Sequence, residues 1–121
     1  MGYRSDVALA LSKGAVRKLN MAIANADNEK SKAASQLLAN PDKHLCDMDT
    51  GAELWSWKEL KWYADYPDVA FIENFMDNIA GDDNYRFIRI GEDWDDAELE
   101  GYFLDNPFSL QLNREIDFEN N

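Results

Sequence analysis

Six carboxylates crowd into the nine residues Glu92 to Glu100, directly after the apolar run Tyr85 to Ile90. No core can take in that much unpaired negative charge, so the chain must leave its interior near Gly91. Tyr85 to Ile90 therefore reads as a buried strand. Glu92 to Phe103 reads as an acidic, aromatic-tipped surface protrusion.

The other elements follow from periodicity. Tyr3, Ser5, Val7, Leu9 and Leu11 alternate with Arg4, Asp6, Ala8 and Ala10, the period of a strand with one face in the core. Ser12 can cap a helix whose apolar positions Ala15, Val16, Leu19, Ala22, Ile23 and Ala26 recur at helical spacing. The pattern resumes at Ala33, Ala34, Leu37 and Leu38, as a second short helix or a kinked extension, until Asn40-Pro41 stops it. His44 to Met48 and Ala52 to Lys58 flank Asp49-Thr50-Gly51 and form a hairpin. Trp55, Trp57, Trp62 and Tyr63 spread large rings over both faces of its second arm, one face for the core and the other for a neighbouring element or partner. Asp65-Tyr66-Pro67-Asp68 opens a helix with a core stripe of Val69, Ile72, Phe75, Met76 and Ile79, ended by Gly81. A last strand runs from Ser109 to Phe118, with Leu110, Leu112, Ile116 and Phe118 on one face.

This order gives an α+β class: a two-layer sandwich, mostly antiparallel, of about four or five strands with two or three helices on one face. At 121 residues the chain has a core for one domain, residues 1–121, and no linker or repeat divides it.

Charge narrows the functions. The net charge is −12, and it is unevenly placed: residues 1–40 carry six bases against three acids, while residues 41–121 carry six against 21. Such a surface repels phosphates and anionic lipid and attracts basic protein faces. Direct nucleic-acid and membrane binding are disfavoured. With no basic leader, no long apolar segment and a single cysteine, Cys46, the expected compartment is a cytoplasm.

Recognisable chemistry is sparse. No glycine-rich phosphate loop is present, so no nucleotide cofactor is expected. His44 and Cys46, two apart on a strand, share a face, which makes a Cys/His pair geometrically feasible. One Cys and one His cannot complete a tetrahedral zinc site alone, and no metal site is assigned. Asp93 and Asp95 fit the first positions of a calcium loop, but Ala97, Glu98 and Leu104 fall where an oxygen donor, glycine and glutamate are needed. Arg4, Arg86 and Arg89, set in apolar or acidic strands, read as salt-bridge partners rather than substrate anchors. No catalytic constellation emerges, and the chain is expected not to be an enzyme.

Four blocks, MGYRSDVA (Met1 to Ala8), KWYADYPDV (Lys61 to Val69), YRFIRIGEDWDD (Tyr85 to Asp96) and NREIDF (Asn113 to Phe118), together resemble a group of small acidic proteins encoded by bacteriophages and prophages. The resemblance implies a phage origin and supplies no activity or catalytic residues to carry over. The expected function is then binding of a host protein with a basic surface, as an anti-defence inhibitor in the manner of anti-CRISPR proteins, through carboxylates that mimic nucleic-acid phosphates. Glu92, Asp93, Trp94, Asp95, Asp96, Glu98, Glu100 and Tyr102 are the candidate contact residues, with Phe103 beside them. The alternative is a phage assembly module, or a homodimer, joined through Trp55 or Trp57.

Overall fold

The computed structural model describes residues 2–110. It is an α+β fold in which β1 (Ser5–Leu11), α1 (Lys13–Ala26), α2 (Glu29–Ala39), β2 (Lys43–Cys46), β3 (Glu53–Leu60), α3 (Pro67–Phe75), β4 (Tyr85–Gly91) and β5 (Ala97–Glu100) follow in order. The five strands form one open, antiparallel sheet in the order β2-β3-β1-β4-β5. The chain's first strand thus lies at the centre of the sheet, and β2 and β5 are its edges.

The strand period decides which residues meet the helices. Val7, Leu9 and Leu11 of β1, Trp55 and Trp57 of β3, and Tyr85 and Phe87 of β4 share the face covered by Ala15 and Leu19 of α1, Ala34 and Leu37 of α2, and Val69, Ile72 and Phe75 of α3. Trp55 and Trp57, two apart, therefore lie on one face, and both are buried. The Trp57 indole N–H donates to the Leu37 carbonyl at 3.1 Å, tying α2 to the sheet. Neither ring is available as an exposed interface anchor. On the opposite face Ala10, Leu54 and Ile88 are also buried, and Leu110 reaches across beside Ala8, Ile88 and Ile90.

Local chemistry sets the helix ends. Ser12 accepts from the Ala15 N–H at 3.2 Å and starts α1. Asp27 then takes a left-handed conformation, φ 41°, and Asn28 opens α2 with a reciprocal capping box with Ser31. The second apolar run is thus a separate helix, not a kinked extension. In β3 an extra residue interrupts the register with β1 between Ser5 and Val7. Glu59, at φ 54°, donates its orphaned N–H to the Asp6 carboxylate at 3.1 Å.

Two expectations change. The third helix does not run regularly to Gly81: Met76–Ala80 form a π turn. That wider turn swings Ile79 out to solvent and puts Ala80 into the core in its place. The last strand, Ser109 to Phe118, lies mostly outside the described residues; Ser109 and Leu110 are described and are not in a strand.

Candidate protein-binding surface

The acidic tract does not hang free. Its first half is the turn between β4 and β5, and its second half is β5 itself, paired to β4 with Glu98 opposite Arg89 and Glu100 opposite Phe87. Because Arg89 and Phe87 lie on the helix-facing side, Glu98 and Glu100 do as well.

The N-terminal residues lash the turn down. The Tyr3 hydroxyl donates to Asp96 Oδ2 at 2.6 Å and accepts from the Asp93 N–H at 3.0 Å. The Arg4 N–H donates to the Glu92 carboxylate at 2.6 Å, and the Tyr3 N–H donates to the Tyr63 hydroxyl at 2.7 Å. Three of the four sequence blocks singled out above therefore meet at Tyr3. Donation from Asp93 N–H favours the Tyr3 phenolate, but the hydrogen bond to Asp96, burial and the charges of Asp93 and Asp96 outweigh it and raise the phenol's pKa. No room is left there for a side chain on Gly91: a Cβ would overlap the Asp96 carboxylate and the Tyr3 hydroxyl.

Arg89 neutralises the middle of the tract. Its Nη2 lies 2.7 Å from Asp96 Oδ1 and its Nε 2.5 Å from Glu98 Oε1, while Nη1 also donates to Ser5 Oγ at 2.9 Å. Those hydrogen bonds, Asp96 foremost, push the guanidinium pKa above its ordinary value despite the cost of burial. The expectation of a salt-bridge role holds for Arg89. Arg4 and Arg86 instead donate to backbone carbonyls, of Glu59 at 3.2 Å and Gly101 at 2.7 Å.

Of the eight candidate contacts, Glu92, Asp93, Asp96 and Glu98 are engaged in holding the hairpin. Trp94, Asp95 and Tyr102 are exposed, the two rings at opposite ends of β5. Glu100 belongs to a different group. It lies on the helix-facing side of β5 and feels the negative charges of Glu98, of Glu73 in α3 and of Asp77 in the π turn, so that these four carboxylates form one electrostatically coupled acidic seam. Burial raises the Glu100 pKa first, and the negative charges of Glu98, Asp77 and Glu73 add to it. Glu73 is raised by burial and by Glu98 and Asp77, opposed by the indole N–H of Trp62 and by Arg89. The Trp62 N–H is buried and makes no hydrogen bond of ordinary geometry. The Tyr85 phenol, next to this cluster, is raised by burial and then by Glu100, Asp82 and Asp77.

Glu73 and Asp77 escaped the sequence reading because they sit on a helix read only for its apolar stripe. Their i, i+4 spacing places both on one helix face, and only the sheet pairing of β5 shows which charges act on it.

No protein-family model, curated protein or solved structure matches the chain. Among the described residues no helix is long and apolar enough to cross a membrane.

Proposed function

We propose that the protein is phage-encoded and binds a host protein with a basic groove, as an anti-defence inhibitor that sets carboxylates where nucleic-acid phosphates would lie. The observation that carries this reading is the grouping of Glu73, Asp77, Glu98 and Glu100, where burial first and neighbouring like charges second raise the pKa of Glu73 and Glu100. A fold that brings carboxylates together against their mutual repulsion gives up stability, which a cationic partner would restore. The exposed Tyr102 borders the cluster and offers an apolar anchor beside it. Arginine side chains entering this seam would pair with the carboxylates and stack on the ring.

The test is affinity capture from the host with the native chain and with a Glu73→Gln/Asp77→Asn/Glu100→Gln variant, followed by a salt titration of what is retained. A host nuclease or other nucleic-acid-binding protein should bind the native chain, release steeply as salt rises, and be lost from the variant, whose fold gains stability. Equal retention on the variant, or retention insensitive to salt, would overturn the proposal. A second variant, Glu92→Gln/Asp95→Asn, separates the seam from the turn.

A further inference from the structure

Far from the acidic seam, at the other edge of the sheet, the hairpin β2–β3 brings together three side chains of metal-ligating type. Strand register places His44 opposite Trp55 and Cys46 opposite Glu53, all on the helix-facing side. His44 Nε2 lies 2.8 Å from Glu53 Oε1 and 3.8 Å from Cys46 Sγ. All three ligand atoms fall within 4.8 Å of one another, and they are the only such trio among the described residues.

The arrangement is wrong for a nucleophilic relay. A base that activates a thiol uses one ring nitrogen for the thiol and the other for its orienting carboxylate. Here Sγ and the carboxylate both address the same nitrogen, Nε2. Convergence of a sulfur, a nitrogen and an oxygen on a common point is instead what a metal ion requires. Zinc bonds of about 2.0–2.3 Å in tetrahedral geometry set ligand atoms about 3.3–3.6 Å apart, so the three need shifts of about 1 Å or less each to enclose an ion.

The ring is already oriented. His44 stacks on the buried Trp55 with centroids 4.8 Å apart and planes inclined by 13°. His44, Glu53 and Trp55 also line a cleft of about 380 Å³ between α1 and α2, where Asn20 and Ser35 offer polar atoms among Ile23 and Leu38. The cleft has room for a water beside His44 and Glu53.

We propose that His44, Cys46 and Glu53 bind one Zn²⁺ ion, with water completing the coordination from the cleft. This site stands apart from the acidic seam and does not depend on its function. The ligand set of one thiolate, one imidazole and one carboxylate suits borderline zinc rather than magnesium or calcium, which prefer oxygen alone. On binding, the Cys46 S–H bond breaks, sulfur keeps the electron pair and bonds zinc, and the proton leaves to solvent.

The test titrates the reduced full chain with Zn²⁺, and separately with Co²⁺ as a spectroscopic substitute. Expected are one ion per chain with Kd at or below about 10 μM, a thiolate-to-cobalt charge-transfer band, and slower alkylation of Cys46 by iodoacetamide when Zn²⁺ is present. Cys46→Ser should abolish the band. Glu53→Gln and His44→Asn should each weaken Zn²⁺ binding by at least about 100-fold, beyond the effect usual for an outer-shell group. Asp49→Asn, in the adjoining turn, should bind as the native chain does. The site is refuted if the native chain takes up no stoichiometric Zn²⁺, if alkylation is unaffected by it, or if the ligand variants bind no more weakly than Asp49→Asn. Alkylation is read on the unmutated chain, so it remains decisive should a variant fail to fold.

Discussion

Arg89 and Asp96 meet in a two-pronged ion pair across the β4–β5 hairpin, Nη2 to Oδ1 at 2.7 Å and Nη1 to Oδ2 at 3.2 Å. The Arg89 side chain keeps only 13% of its exposure and Asp96 31%, so the pair is shielded well enough for its loss to be felt. Arg89→Met should destabilise the fold by about 3 kcal/mol, because Asp96 and Glu98 are left uncompensated in an already acidic neighbourhood. Urea unfolding checks this. A loss under ~1 kcal/mol would place the pair with ordinary surface salt bridges.

The seam carboxyls make stability depend on pH with a sign opposite to the usual one. Glu73 and Glu100 titrate above the ordinary carboxyl value of 4.5 in the folded state. Between that value and their raised values the folded chain holds protons that the unfolded chain has released. As pH rises through that window, stability is lost. Glu73→Gln/Glu100→Gln should therefore raise the melting temperature at pH 7 and flatten the loss of stability as pH rises above the ordinary carboxyl value of 4.5. Melting curves recorded over this range in both proteins measure the difference.

Gly101 follows β5 at φ +85°, and a Cβ there would run into the Tyr85 backbone carbonyl. That carbonyl also accepts from the Phe103 N–H at 3.1 Å, so it cannot move aside without releasing the chain beyond β5. Gly101→Ala should cost at least about 2 kcal/mol through backbone strain and overlap together. Gly14, by contrast, meets nothing closer than Ser12 Oγ at 4.0 Å. Gly14→Ala, inside α1, should stabilise by about 0.5 kcal/mol. Denaturant midpoints of the two variants should move in opposite directions.

Trp57→Phe keeps most of a buried ring but removes the donor to the Leu37 carbonyl. The change should cost about 2 kcal/mol, combining an unsatisfied buried acceptor with lost packing. Light scattering should give the same mass for the variant as for the native chain, since the ring lies in the core and not at an interface.

Where one physical signal dominates a stretch, the residues themselves were sufficient. The alternation through Val7, Leu9 and Leu11, the cap at Ser12 and the apolar run before Gly91 each name an element with no outside help, because strand and helix periods and capping are local properties. They sum to the α+β class that the structure has. Ile79 departs from the helical stripe because Met76–Ala80 form a π turn. The capping box at Asn28 carries Ser31 in place of the usual glutamate and so lacks the common signature of a helix start.

The candidate surface was legible only in part. The tract Glu92 to Glu100 announced itself as acidic, yet nothing in its order distinguishes Asp96 and Glu98, which are bound to Arg89, from Glu100, which feels the charges of Glu73 and Asp77. Likewise His44 and Cys46 could be paired by their spacing, whereas Glu53 joins them only through the strand opposite. Periodicity and charge density belong to the chain and are read along it. Which carboxylate finds a cation, which repels its neighbour and which meets a thiol depends on residues that only sheet register and helix packing bring into contact.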